Sequence, residues 1–183
     1  DAKAAADNAH RQFAHAGSEF LSVITLWREF RQAHDTFSQS QLRKWCERNF
    51  LSYLRMREWR ELHRQLLVTC QSLQWNLPAW DDIEQQLSMH EQDPKAAAQH
   101  YRQLHCAVLA GLPTQVGHRN DKGMFEGPRQ RRFSLFPASP LAKQPPSWCL
   151  VGQLLDTQRV WGLMAAKIEP EWIVDVCEPL ISR

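Results

Sequence analysis

At Gly111-Leu112-Pro113 the hydrophobic rhythm of the chain changes. Before that point apolar residues recur every three to four positions, the spacing of one helix face. After it they alternate, the spacing of a half-buried strand. A chain with that break is expected to fold as α+β, a helical bundle followed by a small β-barrel. The expected boundary divides residues 1–110 from 111–183.

In the first part, Phe20, Val23, Ile24, Trp27 and Phe30 share a helix face, with Ser18 as the N-cap of a helix reaching about His34. A short Ala-rich helix is expected over residues 2–13. Ser38 and Gln41 have the spacing of a capping box. The longest periodic segment runs from Leu51 to Leu73. Its apolar stripe is Leu51, Leu54, Trp59, Leu62, Leu66, Cys70 and Leu73, with Arg55, Arg57, Arg60 and Arg64 largely off it. A helix over 79–90 is acidic at its start, which suits the helix dipole. Asp93-Pro94 reads as a cap followed by a first-turn proline, and Tyr101, Leu104 and Val108 are the expected buried stripe of the helix it starts. Trp27, Trp45 and Trp59 fit these stripes and are expected in the core.

In the second part the expected strands are 114–119, 122–127, 131–136, 148–156 and 159–168. Asp121 to Gly123 provides a turn. Pro137 to Pro146 holds four prolines, too many for a central strand. Five short strands in so little chain match the count and size of a barrel of the OB type. A closing helix is expected from Pro170 to Leu180. Phe133 and Leu135 are expected to face the core.

The formal net charge is only +2, but it is unevenly spread. Residues 28–64 hold nine Lys/Arg against five Asp/Glu, and residues 114–167 hold eight against three. Residues 78–93 hold five acids and no Lys or Arg. Two basic regions are therefore set against one acidic segment. The five cysteines, Cys46, Cys70, Cys106, Cys149 and Cys177, are widely spaced and suggest neither a disulfide framework nor a CxxC metal pair. They read as small hydrophobes in a reducing, cytoplasmic setting. No apolar run approaches the ~20 residues of a membrane helix, and no signal peptide is visible. The first residue is not methionine, so a fragment of a longer chain is expected.

Several chemistries lack their parts. There is no GxxxxGK[ST] phosphate loop, no Asp-Glu-x-His box, no GxSxG and no HExxH. Nucleotide hydrolysis is therefore not expected of this chain by itself. His100 and His105 are five apart and do not stack on one helix face, and the usual metal-ligand spacings are missing.

The candidate binding residues are Arg129, Arg131, Arg132, Lys143, Arg159, Trp161 and Lys167. Basic residues interleaved with aromatics on strands suit contact with both the backbone and the bases of a nucleic acid. For the three arginines of 129–132 two readings stay open. They either contact phosphates, or form a solvated rim or ion pairs with the acidic segment. In the last strand Arg159, Trp161, Leu163, Ala165 and Lys167 alternate with Val160, Gly162, Met164, Ala166 and Ile168, and the second set is expected to face inward. Trp161 shares a face with two bases. Exposed, it would stack a base; the favoured expectation is that it packs beneath the helices.

Longer matches add a family resemblance. GSEFLSVITLWREF at 17–30, WCERNFLSYLRMREWRELHRQL at 45–66, LAGLPTQVG at 109–117, FSLFPASPL at 133–141 and LLDTQRVWGLMAAKIEPEW at 154–172 lie in one register. Together they resemble the C-terminal region of bacterial DEAH-box RNA helicases. PPSW, RVWG and FSLFP look most like the HrpA-type subgroup. The resemblance implies a helical ratchet-like helicase-associated domain and an OB-fold domain that close over an RNA channel. It implies single-stranded RNA as ligand, RecA-like motor and winged-helix domains in the same parent chain, and protein regulators as further partners. ATP and magnesium would belong to the motor domains, with no cofactor in this segment. The rival expectation is a structural and protein-interaction module without RNA contact. The 74–95 linker, with Trp75 and Trp80, is longer than the family pattern implies.

Overall fold

The computed structural model describes residues 2–178. The helices are α1 (Ala2–His10), α2 (Glu19–Thr36), α3 (Gln39–Arg48), α4 (Tyr53–Ser72), α5 (Trp80–Gln92), α6 (Pro94–Gly111) and α7 (Pro170–Cys177). The strands are β1 (Val116–Arg119), β2 (Phe125–Glu126), β3 (Arg132–Leu135), β4 (Trp148–Asp156) and β5 (Val160–Lys167). The final residues of the helix expected up to Leu180 lie outside the described residues.

The chain packs as two compact units. One holds Val23–Met89 and the N-terminal segment up to Ala14; the other holds His15–Ser22 and the chain from His90 onward. The change of period at Gly111 is thus a change of secondary structure within the second unit, since α6 packs with the barrel.

In the first unit the caps sit where the sequence places them. Ser38 Oγ accepts from the Gln41 N–H while Gln41 Oε1 accepts from the Ser38 N–H, closing the capping box. Such a cap contributes about 1 kcal/mol. The core gathers Trp27, Phe30, Ala33, Leu42, Cys46 and Met56, with Trp45 and Trp59 packed against it. The stripe expected on α4 does not follow it inward. Leu54 is 60% exposed, Leu62 53%, Leu66 55% and Leu73 56%, and Met56 is the buried residue of this helix. Periodicity defines an apolar face; it does not supply a second surface to cover it.

In the second unit the five strands close a barrel in the order β1-β2-β3-β5-β4. Only β3–β5 is a parallel pair. That ring order is the closed Greek-key arrangement of an OB-fold. Inside lie Phe125, Phe133, Leu135, Leu141, Cys149, Val151 and Ala165, with Phe125 and Phe133 stacked at 5.5 Å. Leu141 comes from a 3-10 turn, Pro140–Ala142, in the proline-rich loop. Gly162 is required by close packing. A Cβ there would sit 2.8 Å from Val151 Cγ1 and 2.9 Å from Phe133 Cδ2.

The expected inward set of β5 needs correction. Val160 and Gly162 do face the barrel interior, but beyond Met164 the phase shifts and Ala165 joins the core. Met164 has φ +56°, in the left-handed region, which breaks strict alternation. Ala165 and Ala166 are both fully buried as a result, and Ile168 packs in a separate apolar cluster with Leu109, Val116, Leu150 and Cys177. The Ala165 N–H at this kink donates to the Glu19 carboxylate at 2.7 Å, and Ser139 Oγ donates to the same oxygen at 2.8 Å.

The helical cover of the barrel carries a buried polar chain. His105 and Ser18 are both fully buried. His105 Nδ1 lies 2.6 Å from the Tyr101 carbonyl, so Nδ1 holds the proton. Nε2 then accepts from Ser18 Oγ–H at 2.6 Å, and Ser18 Oγ accepts from the Leu21 N–H at 3.2 Å, capping α2. Tyr101 stacks on His105 at 4.0 Å, its hydroxyl within donating distance of the Gly17 and Lys167 carbonyls. The stripe of α6 is thus centred on His105 and Leu109, with Tyr101, Leu104 and Val108 half-buried beside them.

Candidate nucleic-acid interface

The alternation of β3 places Phe133 and Leu135 inside the barrel and Arg132 and Ser134 outside. Phe136 continues the outer row: its N–H donates to the Gly162 carbonyl, and its ring is 40% exposed. On β5, Trp161 pairs with Ser134 on one side and with Leu155 of β4 on the other. Trp161 belongs to none of the three apolar clusters. It is half-buried, with the Phe136 ring edge-on at 5.9 Å and the Arg159 guanidinium 5.5 Å from its ring centroid. Within its own unit the partners of its ring are an exposed aromatic and an exposed cation on the barrel wall.

Arg129 and Arg131 sit on a tight turn that leads into β3, and Arg132 opens the strand. Arg129 and Gln130 both have left-handed φ, +57° and +59°. The Gly127 N–H donates to the Arg131 carbonyl at 2.8 Å across this turn. Arg129, Arg131 and Arg132 are all exposed. Arg132 is partly neutralised: its Nε is 3.0 Å from Glu126, its neighbour across the β2–β3 pair. Within the acidic 78–93 segment, Glu84 pairs with Arg28 at 2.7 Å inside the first unit.

Thus β3 and β5 bring together Arg132 and Trp161, with Arg159 in the bend just before β5 and Arg129 and Arg131 on the turn that leads into β3. Lys167 stands apart. It is six residues beyond Trp161, roughly 20 Å at the rise of a strand, and its ammonium lies 3.6 Å from Glu169. Lys143 is exposed at the end of the 3-10 turn, outside this row. Phe136 and Leu155, the latter 39% exposed, are the members that the sequence reading did not single out. The signal for Phe136 was there: it shares parity with Ser134, opposite to the buried Phe133 and Leu135.

The arginines of α4 are more committed. Arg55 pairs with Glu58 at 2.8 Å and Arg64 with Glu61 at 2.6 Å. The Arg64 and Gln65 hydrogen bonds hold the Glu61 carboxyl down to about 2. Arg57 lies 5.8 Å from the Tyr53 ring. An open groove between α2 and α4 is lined by Trp27, Arg31, Arg57, Arg60 and His63. Among the described residues no three metal-ligating side chains gather, and no helix is long and apolar enough to cross a membrane.

Residues 104–180 match the family OB_NTP_bind, an oligonucleotide/oligosaccharide-binding (OB)-fold. Over its whole length the chain is 35% identical to the ATP-dependent RNA helicase HrpA of Escherichia coli strain K12, covering 13% of that protein. It is 35% identical over 98% of its length to the ATP-dependent RNA helicase HrpA homolog of Haemophilus influenzae, covering 12% of it. The chain therefore spans about an eighth of the length of these relatives.

Proposed function

Because this chain carries an OB-fold region of the HrpA type, we propose that its barrel binds single-stranded RNA and guides it for the motor domains of an ATP-dependent helicase. One observation carries the reading: two neighbouring strands present Arg132 and Trp161 on one outer face, the bend before β5 sets Arg159 beside Trp161, and the turn before β3 adds two exposed arginines. Among the described residues neither Arg129 nor Arg131 is engaged in an ion pair. Uncommitted guanidiniums of this kind suit phosphate contact.

In this reading RecA-like and winged-helix segments of the same parent polypeptide supply the stepping, with ATP and magnesium bound there. The helical unit is the ratchet-like domain of that assembly, and the protein works in the cytoplasm. Binding by the isolated chain is weak and salt-dependent. Neutralising about four phosphates of a single strand gives log K against log salt a slope of about −3. Replacing Arg129, Arg131 and Arg132 together with Ala lowers RNA affinity and flattens that slope, while the melting temperature stays put. A slope near zero for the unaltered chain overturns the proposal.

A second reading has its own observation. The uncovered row Leu54, Leu62 and Leu66 on α4 favours a protein-docking or structural role without RNA contact. It predicts that the triple arginine change leaves RNA-dependent activity of the full-length protein unchanged, and that polar substitutions on α4 abolish it.

A further inference from the structure

Charge alone does not account for the centre of the outer row. Two aromatic rings stand there nearly perpendicular, Phe136 and Trp161, at an interplanar angle of 82°. They form a corner in which a flat ligand can lie against one ring and meet the other edge-on, the two arrangements that aromatic quadrupoles favour. The corner is floored by Ser134, whose position on β3 pairs with Trp161, and flanked by the partly exposed Leu155. The Arg159 guanidinium lies 5.5 Å from the Trp161 ring centroid, close enough for its N–H donors to reach a phosphate beside a base held there.

We propose that this corner is a stacking subsite for one unpaired base, with Phe136 as its exposed platform, Trp161 as its wall and Arg159 as the contact to the adjoining phosphate. The inference rests on the RNA-binding reading and adds to it: binding depends on the bases, and paired bases are excluded because their faces are already covered. No sequence preference follows, since every base has a π-face. Nothing in a purely electrostatic guide calls for an exposed phenylalanine beside a half-buried tryptophan on the wall that carries the arginines.

The test compares two fluorescent RNAs of equal length, one with bases and one with an abasic ribose-phosphate backbone, titrated with the full chain. The unaltered chain is expected to bind the base-containing strand about 10-fold more tightly, the scale of one base–aromatic stack. Phe136→Leu keeps the apolar bulk at an exposed position and removes the π-face. It is expected to bring the two affinities together without altering the salt slope or the melting temperature. Phe136→Tyr is expected to restore the difference. Equal affinity of the unaltered chain for both strands, with salt dependence intact, overturns the stacking subsite and leaves the phosphate reading standing. No binding to either strand at low salt overturns both. A Phe136→Leu chain that still prefers bases 10-fold also removes Phe136 from the site.

Discussion

The barrel unit and the helical unit treat their apolar and polar surface differently. In the barrel unit one set of buried polar groups closes on itself: His105, Ser18, the Tyr101 carbonyl and the Leu21 N–H form one chain, and Glu19 takes up the N–H freed at the Met164 kink. In the helical unit, the longest helix keeps one buried residue and shows solvent a row of leucines. The spacing of apolar residues predicts a buried stripe on both α4 and α6. The difference teaches that an apolar stripe records a capacity for burial, whereas burial itself needs a facing surface, which β-closure provides and a single long helix does not.

Mutations can break this contrast. The largest effect is expected at Gly162→Val, where a side chain must displace Val151 and Phe133 inside a closed ring; a loss of roughly 3 kcal/mol or more should appear in denaturant melts. A near-neutral result would mean that the barrel interior is loosely packed. Ser18→Ala comes next. It leaves His105 Nε2 buried without a donor and uncaps α2, for a loss of about 2 kcal/mol by the same measurement.

Acid should act on the same polar chain. Burial pulls the His105 imidazole below its usual 6.5, outweighing the hydrogen bond to the Tyr101 carbonyl, which favours the proton; the nearby His15 and His100 pull in the same direction as burial. Below pH 6.5 the unfolded chain then binds a proton that the native chain resists. Stability is full above 6.5 and falls as the pH drops below it, with the sign set by greater proton uptake in the unfolded state. His15, His63 and His100 are lowered by burial too and add to the same trend. Melting temperatures between pH 7.5 and 5.5 check this, and a flat profile would remove the histidines from the account. The smallest effect is expected at Leu66→Ala, within about 0.5 kcal/mol, because the side chain is already 55% exposed and both residues favour helix. A loss of several kcal/mol in the isolated chain would show that the face is covered, for instance by self-association, and would erase the contrast drawn between the units.

Much of the architecture was legible. The capping box at Ser38 and the Asp93-Pro94 start are local chemistry, so the sequence shows them directly. All five strands appear within the segments expected of them, although only Phe125–Glu126 of 122–127 is strand. There Asn120 bends the chain instead: its side-chain oxygen accepts from the Lys122 and Met124 N–H groups, and Gly123 takes φ +77°. The candidate face was only partly legible. Arg132, Arg159 and Trp161 were recognisable as residue types, but their adjacency depends on the parallel pairing of β3 with β5, two strands about 27 positions apart in the chain. Lys167 ends β5 and Arg159 immediately precedes it, so the rise of that strand separates the two.

By itself the sequence determined the periods, the caps, the turns and the supply of cations and aromatics, because each depends on residues within a few positions of one another. The tertiary structure alone decided which stripe found a partner, that β5 changes phase at Met164, and that Phe136 meets Trp161 at the surface. Those outcomes depend on the register between strands distant in the chain and on whether a second surface is present to exclude water. Neither is encoded in the spacing of any single segment.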